Sequence, residues 1–102
     1  MIIVAVEVVV EEGAIAKARD AIADMERESR KEPGCIRYAF SVDVSDPTIL
    51  RVIEFWKSME DLEKHFVTPH MAAFGAAVAS LQPKSMSIKG YEAGREVKLP
   101  GS

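Results

Sequence analysis

Residues Ile2-Ile3-Val4-Ala5-Val6-Glu7-Val8-Val9-Val10 decide how this chain folds. Most are β-branched, and both alternating sets are apolar: Ile3, Ala5 and Val9 on one side, Ile2, Val4, Val6, Val8 and Val10 on the other. Successive side chains of a strand point to opposite faces, so this strand is expected to be covered on both. A secretory leader is the competing reading. The run lacks a basic start, contains Glu7 and continues into Glu11 and Glu12 without a small-residue cleavage pattern, so the strand is preferred. No apolar run approaches the ~20 residues of a membrane span, and a soluble, cytoplasmic protein is expected.

Downstream, Ile15, Ala18, Ile22, Met25 and Ser29 recur at three and four from about Gly13 to Lys31. That spacing predicts an amphipathic helix, ended by Pro33-Gly34. Cys35 to Val44 alternates, with Ile36, Tyr38, Phe40 and Val42 on one face. Ser45-Asp46-Pro47 supplies a turn into a second strand, Thr48 to Trp56, and the two predict a hairpin. Ser58 is a good N-cap for a helix with Met59, Leu62 and Phe66 inward. Thr68-Pro69 restarts the pattern through Met71, Phe74, Val78 and Leu81, Pro83 closes it, and Ser85 to Tyr91 reads as a last strand.

The order is β-α-β-β-α-β, an α+β ferredoxin-like split βαβ with a four-stranded antiparallel sheet and its helices on one face. One domain over residues 1–92 is expected, followed by an extended tail over 93–102. Helices on one face leave the other bare, yet the third strand is also apolar on both sides, with Ile49, Ile53 and Phe55 opposite Leu50, Val52 and Trp56. The simplest cover is a second copy of the sheet, so a homodimer forming a dimeric α/β barrel is predicted.

Composition narrows the chemistry. The 102 residues carry 13 basic and 16 acidic side chains, for a net charge of −3, with the basic ones scattered, so no nucleic-acid partner is expected. One Cys cannot form an internal disulfide, and Cys35 reads as a small buried hydrophobe. No dinucleotide fingerprint, phosphate loop, nucleophile elbow or Cys pair is present. His65 and His70 stand five apart with a Pro between, which does not put them on one helical face, and no carboxylate cluster completes a ligand set, so no metal site is expected. Either His could serve as a general base, since a neutral imidazole is available near pH 7. Glu54 interrupts an apolar strand and must be paired, solvated at an edge or lining a cavity. A structural ion pair is the leading expectation, with Arg37 or Arg51 to hand, although Arg51 has the opposite strand parity. Tyr38, Phe40, Phe55, Trp56, Phe66 and Phe74 could line a pocket for a flat ligand, and most also suit an ordinary core.

Glu32-Pro33-Gly34-Cys35-Ile36-Arg37-Tyr38, Asp46-Pro47, Glu54-Phe55-Trp56-Lys57-Ser58, His65 and Thr68-Pro69-His70-Met71-Ala72-Ala73-Phe74 together resemble the antibiotic biosynthesis monooxygenase domain. The likeness covers about residues 1–92. It implies a dimeric α/β barrel. For one branch it also implies oxygenation of quinols or anthrone-like compounds by O2 with no cofactor. In that branch His65 and His70 match the helix-region His positions, giving the expected catalytic pair, and Trp56 matches the strand-end Trp. Tyr38, Phe40, Glu54, Trp56, Phe66 and Phe74 are the expected substrate-binding residues, and a small aromatic compound and O2 the expected partners. A haem-degrading branch places an Asn, a Trp and a His where this chain has Val6 or Glu7, His65 and Gly75, and all three depart. A noncatalytic barrel that binds a small apolar metabolite or acts in stress response is the alternative from a different class.

Overall fold

The computed structural model describes residues 1–102 and shows eight elements: β1 (Ile2–Val9), α1 (Ala14–Lys17), α2 (Arg19–Arg30), β2 (Cys35–Val42), β3 (Ile49–Trp56), α3 (Met59–Phe66), α4 (Pro69–Ser80) and β4 (Ser85–Glu92). The strands form one antiparallel sheet in the order β2-β3-β1-β4, the ferredoxin-like α+β arrangement. β1 is central and pairs β3 from Ile2↔Trp56 to Val9↔Ile49. No helix is long and apolar enough to cross a membrane.

Register divides each strand cleanly. The helix-covered face carries Val4, Val6 and Val8 of β1, Leu50, Val52, Glu54 and Trp56 of β3, and Tyr38 and Phe40 of β2. The open face carries Ile3, Ala5 and Glu7, Arg51, Ile53 and Phe55, and Arg37 and Ala39. Trp56, Met25, Tyr38, Val4, Val52 and Leu62 make the main core, sealed at one end by Val8, Val10 and Ala14.

Caps explain the helix boundaries. Ser58 Oγ accepts from Asp61 N at 3.2 Å and Thr68 Oγ1 from Met71 N at 3.2 Å, with Pro69 at the first helical position. The long first helix expected from periodicity is two, broken at Ala18, whose backbone leaves the helical region while its side chain stays buried. Two facial assignments need correction. A bulge between Cys35 and Arg37 shifts the parity of β2, so Cys35 packs against the core and Ile36 is exposed. On α3 the buried positions are Leu62 and His65, whereas Met59 and Phe66 are about half exposed, because the helix leans its Leu62–His65 edge on Trp56.

Candidate active site

The site forms where the α2–β2 connection, the α3–α4 joint and the middle of β2 and β3 meet. α2 ends at Arg30, and the chain turns through Glu32, Pro33 and Gly34 into β2. Gly34 permits this close approach: a Cβ there would overlap Asp61 of α3, and its carbonyl accepts from Lys57 N at 2.9 Å. The turn therefore lies against α3, which brings Glu32 under the two histidines.

Glu32 Oε2 contacts His65 Nδ1 at 2.6 Å and His70 Nε2 at 2.8 Å. An ionised carboxylate only accepts, so each ring nitrogen donates its N–H to that oxygen. The sequence spacing of five misleads here. His65 lies in the last turn of α3 and His70 in the first turn of α4, and the bend at Val67–Thr68 turns two separate helix ends toward one carboxylate. The expectation that nothing completes a ligand set with the two histidines is thus corrected by Glu32. The three donor atoms lie within 4.8 Å of one another, a donor set able to hold a divalent cation. As it stands the carboxylate oxygen is already shared by two N–H groups, a closed network. In the sequence Glu32 stands out only as part of a motif, and the signal that marks it is a carboxylate directly before a Pro-Gly turn at a helix end.

His65 is only 1% exposed and stacks beside Trp56, their ring centroids 4.6 Å apart. With Nδ1 committed to Glu32, Nε2 makes no hydrogen bond within the chain, yet no buried polar side-chain atom is left unsatisfied, so Nε2 opens into the neighbouring cavity. Burial holds the His65 pKa below its ordinary value, against the opposing pull of Glu32, and the ring is a neutral acceptor near pH 7.

That cavity, of about 310 Å³, lies between the sheet and α3–α4. Its walls are Val4, Val6, Val8, Val52, Met71, Phe74, Val78 and Ile88, and Tyr38, Glu54 and His65 are its hydrogen-bonding side chains. Glu54 sits directly across from Tyr38 in the β2–β3 register. It is 5% exposed, and its Oε1 accepts from Trp56 Nε1 at 2.9 Å. No cation pairs with it, which overturns the expected ion pair: Arg51 points to the open face and binds Glu7 and Asp43, while Arg37 lies 5.7 Å over the Phe55 ring. Burial pushes the Glu54 carboxyl up to about 7, with the Trp56 hydrogen bond opposing and the Glu32 charge adding to the rise. Burial likewise raises the Tyr38 phenol, with Glu54 contributing, and pushes the Cys35 thiol up to about 11, so both stay protonated at neutral pH.

Of the eight residues singled out from sequence, His65, Tyr38, Glu54, Phe66 and Phe74 line this cavity, Phe66 at its half-exposed rim. His70 lies behind His65 on Glu32. Trp56 is fully buried under Glu54 and His65. Phe40 packs on Tyr38 and Phe74 and faces a separate groove of about 650 Å³ between α1–α2 and the β2 edge. That groove has Arg19 and Glu26 as its charged residues and no histidine.

Fold and site together define a ferredoxin-like α+β domain with a neutral imidazole at the wall of a small apolar cavity. Residues 1–91 match the family model of antibiotic biosynthesis monooxygenases, and the chain belongs to that family. Over 56 residues it is 41% identical to the probable quinol monooxygenase YgiN of Escherichia coli, a stretch covering 47% of this chain and 54% of that one. It is 36% identical over 64 residues to an uncharacterized protein of Synechocystis, covering 63% of this chain and 44% of that one. The matched stretches thus span about half the length of these curated relatives. Among solved structures, a protein from Deinococcus radiodurans assigned to the antibiotic biosynthesis monooxygenases superimposes with a TM-score of 0.90 at 25% identity, over 99% of this chain and all of that one. One from Bacteroides thetaiotaomicron, described as a possible oxidoreductase, gives 0.82 at 28% identity, over 90% and 96%.

Proposed function

We propose that this protein is a monooxygenase that uses O2 to oxidise a flat, electron-rich hydroxyaromatic of the quinol or anthrone type, with the substrate itself as reductant. The observation that carries this reading is the Glu32–His65 pair, which leaves an unprotonated Nε2 facing an apolar cavity of about 310 Å³. The family membership and the 41% identity to a probable quinol monooxygenase support it.

For a quinol the steps balance as quinol plus O2 giving hydroxyquinone plus water. His65 Nε2 takes a phenolic proton, and Glu32 stabilises the imidazolium so formed. The ring anion passes one electron to O2, and the radical pair joins through a new carbon–oxygen bond. His65 returns its proton to the peroxide. Loss of the proton on that ring carbon and cleavage of the O–O bond then leave a ketone, and the departing hydroxide leaves as water. Apolar walls keep bulk water from the intermediate. His70 holds Glu32 in place from the other side.

The working unit in this proposal is a homodimer. The open face leaves Ile3, Ala5, Ile53 and Phe55 half-buried with no helix over them, and stacking two such faces would close a barrel. Light scattering is expected to give twice the 11.2 kDa chain mass at micromolar concentration. Oxygen uptake above autoxidation, measured on a panel of hydroquinones and anthrones, tests the reaction. Equal rates for the wild type and a His65→Ala, His70→Ala double variant would remove the assigned base. No uptake with any member would favour a binding barrel instead.

A further inference from the structure

We infer that Glu54 donates a hydrogen bond from its free Oε2 to a ring carbonyl oxygen in the cavity, so that the cavity selects aromatics carrying a ketone or quinone oxygen. The inference deepens the proposed function and rests on its assignment of the cavity as the ligand site.

Glu54 differs from the other carboxylates of the chain in its surroundings. Its Oε1 is fixed by Trp56 Nε1, while Oε2 has no partner within the chain and is not among buried unsatisfied atoms, so it reaches the cavity. The titratable groups that face Glu54 are Glu32 from the α2–β2 connection, Cys35 and Tyr38 from β2, and His65 from α3. Into the same space β1 presents Val4, Val6 and Val8, α4 presents Met71, Phe74 and Val78, and β4 presents Met86 and Ile88. Arg and Lys are absent from this lining, so no cation offsets the cost of a carboxylate in an apolar wall, and only the Trp56 N–H opposes it. The acid form has an O–H to give, and its pKa of about 7 keeps that form populated up to neutral pH.

In the same cavity His65 Nε2 accepts, because Nδ1 gives its N–H to Glu32. An accepting imidazole and a donating carboxyl on one small apolar pocket fit a ring bearing one hydroxyl and one carbonyl, or the quinone that oxidation leaves behind. A plain hydrocarbon of equal size satisfies neither group.

Equilibrium dialysis of the full chain with 2,3-dimethyl-1,4-naphthoquinone tests the inference. Its blocked ring carbons resist addition of the Cys35 thiol, and 2,3-dimethylnaphthalene serves as the carbonyl-free control. The wild type is expected to bind the quinone about tenfold more tightly at pH 5.5 than at pH 8.5, the worth of about one good hydrogen bond, and to bind the hydrocarbon equally at both. Glu54→Gln keeps an N–H donor and is expected to bind the quinone with no pH dependence. Glu54→Leu is expected to bind quinone and hydrocarbon alike. A wild-type quinone affinity that is the same at both pH values, or a Glu54→Leu variant that retains the quinone preference, overturns the assignment, as does failure of the wild type to bind the quinone at all. Should Glu54→Leu fail to fold, the Glu54→Gln pH profile alone decides. Quinone binding with the expected pH profile but no oxygen uptake from quinols leaves Glu54 assigned and removes the oxidation reading. Uptake without pH-dependent quinone binding does the reverse.

Discussion

Glu7 and Glu54 stand on adjacent paired strands, three register positions apart, and face opposite sides of one sheet. On the open side Glu7 accepts from Arg51 Nε at 2.9 Å, and Arg51 reaches on to Asp43 at 2.7 Å. On the helix side Glu54 has an indole N–H and no cation. The sheet thus separates two uses of the same side chain. A solvated carboxylate with an Arg partner is an ordinary surface feature. A buried one with a free oxygen on a cavity changes its protonation state within the physiological range, and such groups concentrate at functional sites. The same contrast holds for the two concave regions. The wider groove beside α1–α2 has more room, while the smaller cavity holds the acceptor, the acid and the phenol.

The sharpest way to break this contrast is to remove the imidazole on the helix side, the base of the proposed reaction. His65→Ala is expected to lower the oxidation rate by about 10²–10⁴, the usual contribution of a positioned base. Arg51→Ala on the open face should leave the rate per folded chain within about twofold, since Arg51 lies across the sheet from the cavity and lines none of it. Oxygen-electrode rates with both variants decide it, and comparable losses would erase the distinction between the faces.

A second comparison uses stability. The folded pKa of Glu54, about 7, lies above its ordinary 4.5. Between these values the folded chain holds a proton that the unfolded chain has released, so Glu54 makes stability fall as pH rises through the window and stay low above it. Glu54→Gln removes that penalty. The expected gain at pH 8 is up to about 3 kcal/mol from a shift of this size, shrinking toward zero near pH 4.5. Urea unfolding at the two pH values measures it, and a gain that does not vary with pH would mean that Glu54 is not the titrating group.

Glu32→Gln comes next. It keeps the size of the side chain but weakens the acceptor shared by His65 and His70, so it acts by positioning. Losing a charge-assisted hydrogen bond of about 1.5–3 kcal/mol should slow oxidation by roughly tenfold to a hundredfold. Its distinguishing sign is the pH profile. Glu32 raises the His65 pKa against burial, so the acid limb of the rate should move to lower pH in the variant. An unmoved limb with a reduced rate would make Glu32 a structural residue only.

How much of this was legible in the sequence follows from the range of the interactions involved. Strand and helix order, the Ser58 and Thr68 caps and the two-sided apolar character of β1 and β3 are local patterns, and reading along the chain reached them. The Ile36 inversion was out of reach, because a bulge inserts one residue without a composition signal. The burial of Glu54 was suggested by its apolar neighbours, but its missing partner was not, since Arg37 and Arg51 are assigned to a face only once register is known. The Glu32–His65–His70 cluster was the largest gap. It spans 38 residues of sequence and depends on the Gly34 approach to α3 and the bend before α4, neither of which has a periodicity.

The smallest expected effect is on the open face itself. Glu7→Gln removes one of two carboxylates from Arg51, whose guanidinium keeps Asp43 at 2.7 Å. In the isolated chain this pair is exposed, and the loss should be about 0.5 kcal/mol or less and should shrink further in high salt. Within a dimer that stacks two open faces the pair would be partly withdrawn from water, and removing one partner of a desolvated pair costs more than removing it at a surface. Measuring Glu7→Gln stability as a function of protein concentration therefore separates the two environments. A small loss at every concentration fits a face that stays in water, whereas a loss that grows with dimer formation fits a face covered by its own copy.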